Sequence, residues 1–167
     1  MHQLKLTVSS LIHQFFLSLP AEFSKFRVQH YNRQGCVIHD KVSISPNVRI
    51  KGKFEMGKGS SIAQKCTISG ENAVFFIGEN VMIASNVVIV ALNHRFEDLN
   101  IPMSMQGNDE ASVIIEDDVW IASKTTIGKG VKIGKGSIIG SNSFVNKNVL
   151  PFSIVGGVPA KLIKYRK

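Results

Sequence analysis

Residues 127–140 read IGKGVKIGKGSIIG. Ile127, Ile133 and Ile139 stand six residues apart in this stretch, and each is followed directly by a glycine, Gly128, Gly134 and Gly140. Working outward, the same interval runs from Ile115 through Ile121 to Val145, and the fifth position of each hexad carries Val119, Thr125, Val131, Ser137, Ser143 or Val149. Upstream, Ile38, Ile44, Ile50, Met56, Ile62 and Ile68 keep the interval of six, and after one step of nine so do Ile77, Ile83 and Ile89. Fifteen hexads are readable in all. A period of six is neither the 3.6 of a helix nor the 2 of an alternating strand. It suits short strands joined by tight turns, with the first residue of each hexad pointing inward. Glycine at the second position, as at Gly57, Gly78, Gly128, Gly134 and Gly140, predicts a turn with positive φ or a close approach of two backbones there.

This pattern resembles the left-handed parallel β-helix of the hexapeptide-repeat proteins, in which three hexads make one triangular coil. The resemblance implies an all-β domain of about five coils over residues 36–150. Stacked coils expose unpaired strand edges only at their two ends. Residues 1–35 lack the hexad, carry Leu11, Phe15, Phe23 and Phe26 at helical spacing and contain Pro20, which predicts two short helices capping the first coil. Residues 151–167 are expected to form a basic C-terminal tail.

Composition narrows the function. The 167 residues are read as one domain, with a net charge of +8 that calls for a polyanionic partner. One Trp and two Tyr, with no basic stripe interleaved with aromatics, argue against nucleic acid. The apolar run LIHQFFLSL is too short to span a bilayer and is broken by polar residues. A cytoplasmic location is therefore expected, with an amphipathic peripheral membrane contact left open. Cys36 and Cys66 are far apart and in no metal-ligand spacing. Cys66 falls at a small fifth position and is read as a packing thiol.

Between Ile89 and Ile115 the interval is 26 residues, so a loop at about 90–113 leaves the coil. Loops projected from rigid scaffolds commonly carry function. This one holds Asn93, His94, Arg95, Phe96, Glu97 and Asp98, and an imidazole able to take a proton near neutral pH is what an attacking hydroxyl requires. His2, His13, His30 and His39 fall in the expected cap or at the start of the first coil and are read as ordinary surface or half-buried residues. Since His94 is the one histidine beyond residue 39, a three-histidine zinc site is not expected, and no metal is predicted.

The stretches IASNVVIVALNHRFEDLNIPMSMQG and VIIEDDVWIASKTTIGKGVKIGKGSIIGSNSFVNKNVLPFSIVGGVPAKLIKYRK resemble the hexapeptide acyltransferase superfamily. The likeness is to its sugar O-acetyltransferases, of the maltose, galactoside, capsule and lipopolysaccharide types. It implies a homotrimer with active sites between subunits, acetyl-CoA as acyl donor and a sugar hydroxyl as acceptor. Matched position by position, His94 stands where the family has its catalytic base. Ser123 matches the position beside the thioester and pantetheine, and Ser141, Asn146 and Lys147 match contacts farther along coenzyme A. Lys161 and Lys164 match residues that meet its phosphates. Trp120 matches an aromatic lining the same channel, with simple packing under the loop an equal reading. Asn93 and Arg95 are candidates for acceptor binding. Arg95, Glu97 and Asp98 are candidates to orient the imidazole, as is a backbone carbonyl. An acceptor-side Asn of the maltose and galactoside enzymes falls on Gln64 or Lys65 here, and their longer N-terminal segment is replaced by a different one. That shifts the expected acceptor toward a bacterial surface polysaccharide or its precursor. The alternatives are a streptogramin- or chloramphenicol-type O-acetyltransferase, an N-acetyltransferase acting on a nucleotide-linked amino sugar, and a non-catalytic β-helix scaffold.

Overall fold

The computed structural model describes residues 2–167, with side chains described from residue 10 onward. Hexads become strand segments that stack in parallel with a coil repeat of three hexads. Ile38, Met56, Ile77, Ile115 and Ile133 form one inward column. Ile44, Ile62, Ile83, Ile121 and Ile139 form a second, and Ile50, Ile68, Ile89, Ile127 and Val145 a third. Five coils with three faces result, the left-handed parallel β-helix expected from the repeat. Fourteen of those fifteen side chains are buried, and Ile50 packs against them from the rim. The fifth positions fill the corners: Val119, Val131, Cys66, Thr125, Ser137 and Ser143 are all buried. Their polar members are satisfied by the turn beside them, as when the Thr125 hydroxyl donates to Ala122 O at 2.8 Å and the Ser143 hydroxyl to Gly140 O at 2.6 Å. Cys66 Sγ donates to Ala84 O at 3.1 Å, and burial raises its pKa, so it is a packing thiol.

The turn chemistry differs from expectation in one respect. Positive φ falls at the fourth hexad position, occupied by Asn47, Lys65, Asn80, Asn86, Asp118, Lys124 and Asn142 as well as Gly59, Gly130 and Gly136. Asn and Asp predominate there because their short side chains tolerate the left-handed region best after glycine. The second-position glycines have ordinary φ and answer to the other cause, backbone proximity. A Cβ on Gly57 would lie 2.9 Å from Gly78 C, and one on Gly134 would lie 2.5 Å from Pro151 N. Gly134→Ala should therefore destabilise by about 1–3 kcal/mol, because backbone must move to admit the methyl. Gly128→Ala, whose Cβ meets its nearest atom at 3.5 Å, is the control. Equal melting temperatures for the two variants would refute the close-approach reading.

Two helices cover the first coil, α1 (His2–Ser18) and α2 (Ser24–Arg33), separated by Pro20 and a short 3₁₀ turn. The face they bury is not the one their spacing suggested. Leu11, Phe15, Phe23 and Phe26 are exposed, and Leu17, Val28 and Tyr31 pack on the core instead. Polar side chains of the cap take the place of a neighbouring strand on the open edge. Asn32 both accepts from Ile38 N–H at 2.8 Å and donates to Ile38 O at 2.9 Å. Ile44 N–H donates to Ser24 Oγ at 2.8 Å, and the Tyr31 hydroxyl donates to Val48 O at 2.7 Å. Arg27, wholly inaccessible to solvent, donates to Ile44 O. His30 is buried rather than superficial. Its Nε2 lies 2.9 Å from Nδ1 of His13, and burial lowers the pKa of both.

At the other end, residues 153–165 form two antiparallel strands, Ser153–Gly156 and Lys161–Tyr165, the second exposed along its whole length. The first continues the second face below Ile138–Ile139. Arg166 closes the end by donating to Asp118 Oδ2 at 3.0 Å and Gly136 O at 2.8 Å.

Candidate active site

The triangular coil sets candidate residues on separate edges. Between the second and third faces, the third hexad positions after Ile62, Ile83, Ile121 and Ile139 stack Gln64, Ser85, Ser123 and Ser141 in a line. Backbone hydrogen bonds fix it: Asn86 N–H to Gln64 O, Lys124 N–H to Ser85 O and Asn142 N–H to Ser123 O, each 3.1 Å. Ser85 and Ser123 are half-buried, while Gln64 and Ser141 are exposed. At its lower end this serine edge meets Gly157, whose N–H donates to Ser143 Oγ at 3.1 Å, and Lys161, paired with Gly156. Four predicted residues, Gln64, Ser123, Ser141 and Lys161, thus share one edge. Ser85 and Asn86 belong to it too and were missed. Their signal was in plain view, since Ser85 follows Ile83 by the same offset as Ser123 follows Ile121.

The loop leaves from the next edge, between the third and first faces. It is an antiparallel hairpin, strands Leu92–His94 and Asn108–Glu110, rooted where Ala111 N–H donates to Ala91 O at 2.9 Å and Gly130 N–H to Ala111 O at 3.1 Å. The step of nine between Ile68 and Ile77 serves this hairpin. The extra residues make a bulge whose Asn72 and Ala73 N–H groups donate to Glu110 Oε2 at 2.9 and 3.0 Å, and Val74 N–H donates to Ser112 Oγ at 3.1 Å. From below, the Lys129 ammonium pairs with Asp109. The two interruptions of the hexad are therefore one device, a buttressed hairpin.

That hairpin presents His94 in an exposed position with Asn93 and Arg95 exposed beside it. Among the described residues the imidazole has no hydrogen-bond partner, so the candidates to orient it are placed as follows. Glu97 Oε2 accepts from Phe96 N–H at 3.0 Å, and the N–H groups of Glu97 and Phe96 hold its carboxyl below the usual range. Asp98 accepts from Asn100 N–H at 2.9 Å, while Gln106 donates to Asp98 O and Ile101 O, each at 2.7 Å. Both carboxylates shape the loop tip. Beyond them the tip exposes Phe96, Leu99, Ile101, Met103 and Met105, with Leu99 95% accessible.

The remaining predicted residues spread further. Asn146 and Lys147 sit on the loop edge below the hairpin, Lys147 lining a hollow of about 230 Å³ with Leu162 and Tyr165. Lys164, opposite Ile154, lines another of about 550 Å³ with Arg166 and Lys167. Trp120 stands on the outside of the second face between Met82 and Ile138, 45% exposed, and does not pack under the loop of its own chain. Within a single chain, then, the imidazole and the serine edge are on different edges of the prism. Among the described residues no cluster of three or more His, Cys, Asp or Glu side chains is placed to hold a metal ion.

Residues 112–147 match the bacterial transferase hexapeptide family (six repeats). A probable acetyltransferase of Mycobacterium tuberculosis is 35% identical over 91 residues, 54% of this chain and 30% of that protein. The chain thus spans about a third of the length of that curated relative. The crystal structure of a hexapeptide-repeat acetyltransferase from Vibrio cholerae O1 biovar eltor, complexed with acetyl coenzyme A, superposes with a TM-score of 0.71 at 27% identity, covering 84% of this chain and 78% of that one. The polysialic-acid-specific acetyltransferase NeuO superposes at 0.61 with 29% identity, covering 78% of this chain and 65% of that one.

Proposed function

We propose that this hexapeptide-repeat protein is an acyltransferase that moves acetyl from acetyl-CoA to a sugar hydroxyl, of a bacterial surface polysaccharide or its precursor, at a site shared between two copies of the chain. One observation carries the reading: a braced hairpin displays an exposed His94 on one edge of the coil, while a separate edge offers a continuous polar line of Gln64, Ser85, Ser123 and Ser141 ending at Lys161. Each half lacks the other within one chain, and a cyclic trimer supplies it by setting the hairpin of one copy against the serine edge of the next. The exposed apolar tip around Leu99 favours the same arrangement, because side chains of that kind are buried where chains associate.

In the reaction, the pantetheine arm would lie along the serine edge with its thioester near Ser123 and its phosphates toward Lys161. Lys164, Asn146 and Lys147 belong to the same polyanion's surroundings. His94 takes the proton of the acceptor hydroxyl as that oxygen attacks the thioester carbonyl. The tetrahedral oxyanion is met by N–H or hydroxyl donors of the edge, and its collapse expels the CoA thiolate, to which His94 returns the proton. Asn93, Arg95 and Gln64 border the acceptor side. Trp120, half-exposed on the outside of the second face, is assigned to the lining of the same channel. The polySia specificity named for NeuO supports a sugar polymer as acceptor, while the chloramphenicol acetyltransferases of Morganella morganii, 56% identical over 52 residues, and Klebsiella aerogenes, 53% over 55, support a xenobiotic hydroxyl as the second reading. Catalysis on such a precursor fits a cytoplasmic protein; the exposed Leu11, Phe15, Phe23 and Phe26 of the cap fit peripheral contact with a membrane that carries a lipid-linked acceptor.

Titration calorimetry with acetyl-CoA tests the donor half without knowledge of the acceptor. Micromolar binding that weakens as salt rises is expected, and Lys161→Ala with Lys164→Ala should weaken it further, most at low salt. Absence of binding to both acetyl-CoA and CoA would put the scaffold reading in its place.

A further inference from the structure

The hairpin contains a side chain suited to fixing the orientation of His94, and it lies across the strand pair. In the register Leu92↔Glu110, Asn93↔Asp109, His94↔Asn108, the next pair is joined by Arg95 N–H donating to Gly107 O at 3.0 Å. Ladder hydrogen bonds alternate in antiparallel strands, so His94 and Asn108 form a non-hydrogen-bonded pair. Such pairs bring the two Cβ atoms to about 4.5–5.5 Å on one face of the ribbon. That face looks toward the bulge of residues 70–74, because Asn108 and Glu110 both reach it. Glu110 Oε2 takes the bulge N–H groups, and Asn108 Nδ2 donates to Glu71 Oε2 at 3.5 Å.

The chemistry of this contact favours one polarity of the Asn108 amide. A carboxylate only accepts, so the amide turns its NH₂ toward Glu71 and its oxygen the other way. That oxygen, Asn108 Oδ1, is buried and has no hydrogen-bond partner among the described residues. Buried acceptors of this kind are ordinarily satisfied. Opposite Asn108 in the strand register, the donor on this face is the imidazole N–H of His94. Arg95 and Asn93 point to the other face by alternation, and Glu97 and Asp98 are engaged with loop backbone.

We propose that Asn108 is the positioning residue of His94: its Oδ1 accepts the N–H of the imidazole nitrogen that faces it, leaving the lone pair of the other nitrogen toward the acceptor hydroxyl, and Glu71 holds the amide in the required orientation. The inference rests on the reading of His94 as general base. It gives a reason for the three extra residues of the bulge, which bring Glu71 within reach of the hairpin.

Nitrogen-15 NMR of histidine-labelled protein in its native assembly reads the imidazole tautomer directly, without substrate. His94→Ala assigns the signal, and spectra are taken well above the ordinary imidazole titration range. A single dominant tautomer is expected in the native chain, favoured about tenfold by one hydrogen bond. Asn108→Ala should relax it to the mixture of an unconstrained ring. Asn108→Asp, which keeps an acceptor opposite His94, should restore it. Glu71→Gln, an exposed change with no bearing on folding, should give an intermediate mixture because the amide polarity is no longer imposed. An unchanged tautomer in Asn108→Ala, or a mixture already present in the native chain, would overturn the proposal while leaving the general-base reading intact. The general-base reading fails separately, if His94→Ala retains its rate of transfer.

Discussion

His94→Ala is expected to slow acetyl transfer by ~10²–10⁴-fold, the usual contribution of a positioned general base, with acetyl-CoA binding and thermal stability close to the native values. The side chain is exposed on the hairpin and contributes nothing to the buried columns, so the fold has no reason to respond. Release of free CoA thiol in the presence of a competent acceptor gives the rate, and calorimetry gives the donor affinity. A rate equal to that of the native chain would remove His94 from the mechanism. The same variant tests where the site is. If the imidazole of one copy serves the serine edge of the next, mixed assemblies of His94→Ala with a chain blocked at Ser123 by Ser123→Arg should recover activity that neither parent shows. Random mixing leaves about a quarter of the shared sites intact, since each draws its two halves independently from two chains. Mixed assemblies as inactive as their parents would place both halves of the site within one chain.

The parts of this molecule that were legible in its sequence are those governed by a translational repeat. Ile127, Ile133 and Ile139 point inward because three residues at one period cannot do otherwise on a coil, and the three inward columns follow by extension. Departures from the period were equally visible as lengths, nine and twenty-six residues, but their connection was not. Only in three dimensions does Glu110 from the long departure receive the N–H groups of Asn72 and Ala73 from the short one. The serine edge was half legible: Ser123 and Ser141 came from resemblance, whereas Ser85 required counting the offset across the loop. The caps were the least legible. Helical spacing of apolar residues in 11–26 picked out Leu11, Phe15, Phe23 and Phe26, all exposed, because the contact these helices make is with a strand edge. An edge asks for donors and acceptors, which Ser24, Arg27, Tyr31 and Asn32 supply, and hydrophobic periodicity carries no record of them.

Arg27 is the side chain on which that cap depends, and its removal should have the largest effect on stability of any single change considered. Its guanidinium donates to four carbonyls: Ile44 O at 2.8 Å from Nε, Leu19 O at 2.7 Å and Pro20 O at 3.0 Å from one terminal nitrogen, and Ala21 O at 3.0 Å from the other. Three of these carbonyls belong to the turn between α1 and α2, and the fourth to the exposed edge of the first coil. One planar group thus fastens both helices to the β-helix, a geometry that the fixed fork of guanidinium permits and a lysine ammonium does not. Desolvation by burial lowers its pKa, yet from so high a starting value that it remains charged, and the carbonyl dipoles compensate the charge with the Glu22 carboxylate adding to them beyond ion-pair distance. Arg27→Ala leaves these acceptors without their donor and opens a cavity, at a cost of about 3–5 kcal/mol. For a chain of this size that corresponds to a fall in Tm of roughly 10 °C or more. Arg27→Lys should recover only a minor part, because one ammonium cannot reach four oxygens in the plane of the fork. Calorimetric melting of the three proteins decides the matter. A Tm within about 2 °C of the native value for Arg27→Ala, well under the shift that even 1 kcal/mol produces in smaller domains, would mean that the cap is held by Leu17, Val28 and Tyr31 alone.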